Sequence, residues 1–137
     1  MVLAGPPGVR VLICDDNVDA AYVLKQAFGL ERHEVCVCND GISCLETARQ
    51  WRPDVVILDI GMPGLTGYEV AERLRSLEDA PRVLIIALSG WGTDSDRARS
   101  SAAGIDLHIT KPADITTLLA AVRSAPASRS DRSPPRN

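Results

Sequence analysis

Residues 55–64 read Val55-Val56-Ile57-Leu58-Asp59-Ile60-Gly61-Met62-Pro63-Gly64. Four apolar residues run directly into an acid, and a Pro-Gly loop follows. The run is too short for a helix and lacks the alternation of a half-exposed strand. It therefore predicts a strand buried on both faces, as in a parallel sheet. Pro53 closes the helical stretch before it. An acid at the end of such a strand stands where the sheet meets solvent.

The same pattern repeats on both sides. Val9 to Cys14 is a second apolar run, ending on Asp15-Asp16. His33 to Cys38 is another, closed by the turn Asn39-Asp40-Gly41. Val83 to Leu88 leads into Ser89-Gly90, and a less continuous run, Ile105 to Ile109, is followed by Lys111. Helical spacing fills the gaps. From Val18 to Leu30 the apolar positions are Ala21, Val23, Leu24, Ala27 and Phe28, and from Ile42 to Trp51 they are Leu45 and Ala48. Tyr68 to Leu77, Thr93 to Ala103 and Asp114 to Val122 complete the set. Thr93 suits an N-cap and Gly104 a stop. Five strands alternating with five helices predict an α/β fold with a doubly wound parallel sheet, since right-handed crossovers place helices on both faces. Sites in such folds lie at the carboxyl ends of the strands.

A chain of 137 residues with 45% hydrophobic content suits one domain with one core. A net charge of −3 argues against a nucleic-acid surface, which needs clustered basic groups. No apolar run approaches the ~20 residues that span a bilayer. The start, Met-Val-Leu-Ala-Gly-Pro-Pro-Gly, lacks the pattern of a signal peptide. The expectation is a soluble, cytoplasmic protein with no membrane contact. Cys14, Cys36, Cys38 and Cys44 fall in apolar segments without zinc-site spacing, and are read as small buried hydrophobes. Residues 1–8 are read as an extension, 9–123 as the domain, and 124–137, rich in Pro, Ser and Arg, as a disordered tail or linker stub.

Asp15, Asp16, Asp59, Ser89 and Lys111 all fall at strand ends and converge on one edge of the sheet. Ordinary polarity at strand ends explains one acid per strand. It does not explain three acids crowded with a lysine. Three carboxylates repel one another, and a divalent cation relieves that repulsion. Oxygen donors without Cys or His favour Mg²⁺ or a similar hard ion. Lys111 offers a compact positive charge and Ser89 a hydroxyl donor to a phosphoryl oxygen. A carboxylate can attack phosphorus to form an acyl phosphate. The central position of Asp59 assigns it the nucleophilic role, and leaves Asp15 and Asp16 as metal ligands.

The stretches Val11-Leu12-Ile13-Cys14-Asp15-Asp16-Asn17, Leu58-Asp59-Ile60-Gly61-Met62-Pro63-Gly64, Ala87-Leu88-Ser89-Gly90 and Thr110-Lys111-Pro112 resemble the signature blocks of response-regulator receiver domains. Each block alone is weak, but four in order are specific. The resemblance implies the flavodoxin-like strand order 2-1-3-4-5. It implies phosphorylation of Asp59 by a histidine kinase or phosphotransfer protein of a two-component system, and an output through the face of the fourth helix and fifth strand. It also makes Asp16 a direct Mg²⁺ ligand, Asp15 the holder of metal-bound water, and the backbone carbonyl of Gly61 a further ligand. Ser89 becomes the switch hydroxyl, Lys111 the conserved-type lysine, and Lys111-Pro112 a cis bond.

Receivers usually place Tyr or Phe three residues before that lysine, and this chain has His108. Two readings stand: a half-buried ring packed near the fourth helix, or a polar, pH-sensitive switch. Gly61 and Trp91 occupy positions that flank the phosphoryl group in receivers, and Trp91 is expected either to shield it or to lie on the loop surface. Met62 and Tyr68 are read as packing residues, Gly64 and Gly67 as loop geometry, and His33 as a surface residue. Among other functions, an Mg²⁺-dependent aspartyl-phosphate phosphatase or phosphotransferase would want a D-x-D motif, where Gly61 stands here, and a cap domain. A flavodoxin-like cofactor binder would meet repulsion from Asp15-Asp16. A degenerate receiver acting only as an interaction module would not need the intact acid set. The expectation is a signalling module that catalyses only its own phosphorylation and slow dephosphorylation.

Overall fold

The computed structural model describes residues 8–77, 83–90, 92 and 94–125. The strands are β1 (Arg10–Cys14), β2 (Glu34–Cys38), β3 (Val55–Asp59), β4 (Leu84–Ser89) and β5 (Leu107–Thr110). The helices are α1 (Val18–Leu30), α2 (Gly41–Trp51), α3 (Gly67–Arg75), α4 (Asp94–Ala102) and α5 (Ile115–Arg123). The sheet order is β2-β1-β3-β4-β5, and every neighbouring pair is parallel. This is the expected doubly wound, flavodoxin-like arrangement.

All five residues of β3 are buried. Side chains alternate between the two faces of a strand, so both faces must be covered. Leu12, Cys14, Val56, Leu58, Ile85 and Ala87 point to one side, where Cys44 and Ala48 of α2 and Val70, Ala71 and Leu74 of α3 close over them. Val11, Ile13, Val55, Ile57, Ile86 and Leu88 point to the other, under Ala21, Leu24 and Phe28 of α1 and Leu118 and Val122 of α5. The outer strands β2 and β5 depart from full burial, because each has only one neighbour and an open edge.

Helix starts follow their caps. The side chains of Asn17, Asp40 and Asp114 accept the N–H groups of Ala20, Ser43 and Thr116, and Thr66 with Glu69 forms a capping box at α3. Thr93, the expected cap of α4, lies outside the described residues.

The fifth strand begins later than its apolar run. Asp106 turns its carboxylate inward to accept Ile85 N–H at 2.8 Å and the Arg75 guanidinium at 2.6 Å, so regular pairing starts at Leu107. Arg75 also donates to the carbonyls of Gly104 and Val83, at 2.9 and 2.8 Å, and so holds the end of α3 to the starts of β4 and β5.

Two expectations need correction. Cys14, Cys38 and Cys44 are buried as expected, but Cys14 and Cys44 are joined in a disulfide, with Cα atoms 6.1 Å apart. Their spacing of 30 residues hid a contact made only when α2 folds over the end of β1. Cys36 and Cys38 are free thiols. His33 is not a surface residue. Its side chain is only 7% exposed, its ring stands edge-on to Phe28, and Nδ1 accepts the Val9 N–H at 3.1 Å. Glu31 beside it makes a two-pronged pair with Arg123 at the end of α5, at 3.0 and 2.9 Å.

Candidate functional site

The carboxyl end of β1 is pinned to the end of β2 by two hydrogen bonds. Asp15 N–H donates to the Cys38 carbonyl at 3.1 Å, and the Asn39 side chain donates to the Asp15 carbonyl at 2.9 Å. The Asp15 carboxylate accepts the Asn17 N–H at 2.9 Å, in the turn that starts α1. Asp15 is thereby buried, while Asp16 beside it is exposed. Asp59 ends β3 next door and is 7% exposed. One carboxylate oxygen from each of Asp15, Asp16 and Asp59 lies within 4.8 Å of the others.

Asp59 Oδ1 accepts the Gly61 N–H at 3.1 Å and the Lys111 Nζ at 3.3 Å. Lys111 is set by its backbone, since its N–H donates to the Ser89 carbonyl at 2.7 Å and the Lys111–Pro112 bond is cis. Ser89 closes β4 opposite Thr110 and is buried. The loop after Asp59 is tightly drawn. Gly64 has φ +76°, and a Cβ on Gly67 would come within 2.8 Å of the Ile60 Cα. Met62 and Tyr68 are buried packing residues.

Burial pushes the Asp15 carboxyl above its ordinary range, and the Asp59 charge adds to that. The Asn17 N–H and Lys111 pull the other way without cancelling it. Ionising Asp15 therefore costs the folded chain stability, and the cost grows as pH rises through the ordinary carboxylate range. At neutral pH without divalent cations, Asp15→Asn should raise the melting temperature. The gain should vanish well below the ordinary carboxylate range, where both versions are neutral. Thermal melts at the two pH values check this.

An all-oxygen cluster with one exposed and two buried carboxylates fits a hard divalent cation, which keeps part of its water shell. The structure thus brings Asp15, Asp16, Asp59 and Lys111 into one group, with Ser89 tied to Lys111 through the backbone. The exposed Gly61 has its N–H on Asp59. Trp91 lies outside the described residues. His108 is half-buried and joins the group through Ser89, its Nε2 lying 2.8 Å from Ser89 Oγ. Sequence reasoning missed Ser100 of α4, which is 2% exposed with Oγ 2.7 Å from His108 Nδ1. In Asp94–Ala102 nothing marks it apart from Ser95 or Ser101, and only the phase of α4 against β5 selects it.

Residues 11–123 match the response regulator receiver domain. The chain belongs to that family. This receiver is 35% identical over 121 residues to the transcriptional regulatory protein PrrA of Mycobacterium tuberculosis, a match covering 88% of this chain and 51% of PrrA. The chain spans about half the length of the curated relatives it matches. Its fold is similar to the chemotaxis protein CheY4 of Vibrio cholerae, with a TM-score of 0.81 and 25% identity over 87% of this chain and 99% of that one. It is also similar to the receiver domain of the sensor histidine kinase PA1611 of Pseudomonas aeruginosa, with a TM-score of 0.77 and 28% identity over 85% of this chain and 95% of that one. That structure has a magnesium ion coordinated in its active site cleft. Receiver domains are signalling modules of two-component systems, and accepting a phosphoryl group is their general function. Among the described residues of this receiver no helix is long and apolar enough to cross a membrane.

Proposed function

We propose that this receiver takes a phosphoryl group from a histidine kinase or phosphotransfer protein onto Asp59, and that the change is read by a downstream protein at the α4–β5 face. The observation that carries the reading is the company of Asp59, whose carboxylate lies with those of two other acids and 3.3 Å from the Lys111 ammonium. Asp15, Asp16, Asp59 and the Gly61 carbonyl would hold Mg²⁺. When bound, the ion neutralises the carboxylates and the phosphoryl oxygens, which is most of what phosphoryl transfer requires.

The chain's own residues do the rest. An Asp59 oxygen forms the new bond to phosphorus as the bond from phosphorus to the donor nitrogen breaks. Lys111 leaves its pairing with the free carboxylate to pair with the phosphoryl group, and Ser89 donates its hydroxyl to a phosphoryl oxygen. The added charge rearranges Lys111 and Ser89, which stand at the ends of β5 and β4. On this reading the chain catalyses only its own phosphorylation and slow dephosphorylation. It works in the cytoplasm without touching nucleic acid. Of the expected tail, Ser124 caps α5 and Ala125 packs against the core, while residues 126–137 lie outside the described residues.

Incubation with radiolabelled acetyl phosphate tests the proposal. Labelling should approach one phosphoryl group per chain with Mg²⁺ and fall to background with excess chelator. Labelling that ignores the chelator would sink the metal-assisted reading.

A further inference from the structure

The imidazole of His108 bridges two serines, with Nε2 2.8 Å from Ser89 Oγ and Nδ1 2.7 Å from Ser100 Oγ. Ser89 and Ser100 are 4% and 2% exposed, so water does not readily take either place. A neutral imidazole carries one N–H and one lone pair, and each hydroxyl has a single proton to donate. The chain of bonds therefore has a direction. In one arrangement Ser89 donates to Nε2 and Nδ1–H donates to Ser100. In the other, Ser100 donates to Nδ1 and Nε2–H donates to Ser89. Only in the second is the Ser89 proton not given to the ring.

A phosphoryl group on Asp59 presents oxygen acceptors and no donor. If Ser89 serves it, the first arrangement is lost. We infer that Ser100 is a positioning residue for phosphoryl binding, acting through His108 to turn the Ser89 hydroxyl toward Asp59. Phosphorylation then sets the direction of the Ser89–His108–Ser100 relay and commits the Ser100 hydroxyl on α4 to the ring. The geometry is that of a hydrogen-bond wire from Ser89, at the end of β4, to α4, made of side chains too short to act at a distance singly. The inference rests on Asp59 as the phosphoryl acceptor.

Beryllofluoride with Mg²⁺ serves as the phosphoryl mimic, on the full chain labelled with ¹⁵N-histidine. Long-range ¹H–¹⁵N correlations report which ring nitrogen is protonated, and His108→Gln assigns the signals of the chain's two histidines. Loaded wild type should show His108 as the Nε2–H tautomer with Nδ1 accepting. Ser100→Ala should weaken beryllofluoride binding roughly three- to tenfold, the range for one buried hydrogen bond, and Ser100→Thr should restore most of it. In a Ser89→Ala background Ser100→Ala should have no further effect, because the residue it acts through is gone. A loaded His108 in the Nδ1–H form or doubly protonated would overturn the relay, whether or not the serine variants fold. So would an undiminished effect of Ser100→Ala in the Ser89→Ala background. A missing bound-fluoride signal in wild type would instead reject Asp59 as the acceptor, and the relay with it.

Discussion

Asp59→Asn is expected to reduce phosphoryl labelling to background while leaving the fold intact. An amide oxygen is too weak a nucleophile to form the acyl phosphate, and the acid cluster loses one of its three charges. The shape is unchanged, however. The amide oxygen can still accept the Gly61 N–H, now 3.1 Å from Asp59 Oδ1. Removing this charge also removes its repulsion of Asp15, so the melting temperature in the absence of Mg²⁺ should stay level or rise. Loss of labelling with a normal or higher melting temperature separates lost chemistry from lost structure. Undiminished labelling of the variant, traced by peptide mapping to Asp15 or Asp16, would reassign the acceptor.

The second large effect concerns stability. Phe28→Ala should cost about 3–5 kcal/mol, the usual range for emptying a fully buried aromatic site. Phe28 is the chain's one phenylalanine and has no exposed surface. It lies among Ile13, Ile57, Leu118 and Val122, where α1 and α5 meet over the sheet, and its ring supports that of His33. Short strands cannot shift to fill such a gap without breaking their pairing. Against a typical stability of roughly 5–15 kcal/mol, the loss should be plain as a lowered urea midpoint. A change under about 1 kcal/mol would mean that the α1–α5 side of the core is not what holds these helices in place.

The architecture was legible because every central strand is an unbroken apolar run and each run ends on a polar residue. The acids could be found by position alone, since strand ends in a parallel sheet share one edge. What stayed hidden depends on contacts between distant segments. The start of β5 is set by Asp106 turning to Arg75, which no local pattern encodes. The Cys14–Cys44 link requires knowing how α2 lies on β1. His33 reads as an ordinary polar residue until Phe28 and Val9 are placed around it. Ser100 is invisible in a helix with scarcely any apolar residues, because its burial comes from the phase of that helix and not from its composition.

The pairing of Glu31 with Arg123 has a consequence for how the domain is mounted. Glu31 precedes β2 and Arg123 ends α5, and His33 holds Val9 at the threshold of β1. The chain thus enters and leaves by one rim of the sheet, while the acids occupy the opposite rim, about 16 Å away for strands of five residues at ~3.3 Å each. The domain is built like a cartridge. The Glu31–Arg123 pair and the carboxylates thus stand at opposite ends of the strands, with the depth of the sheet between them.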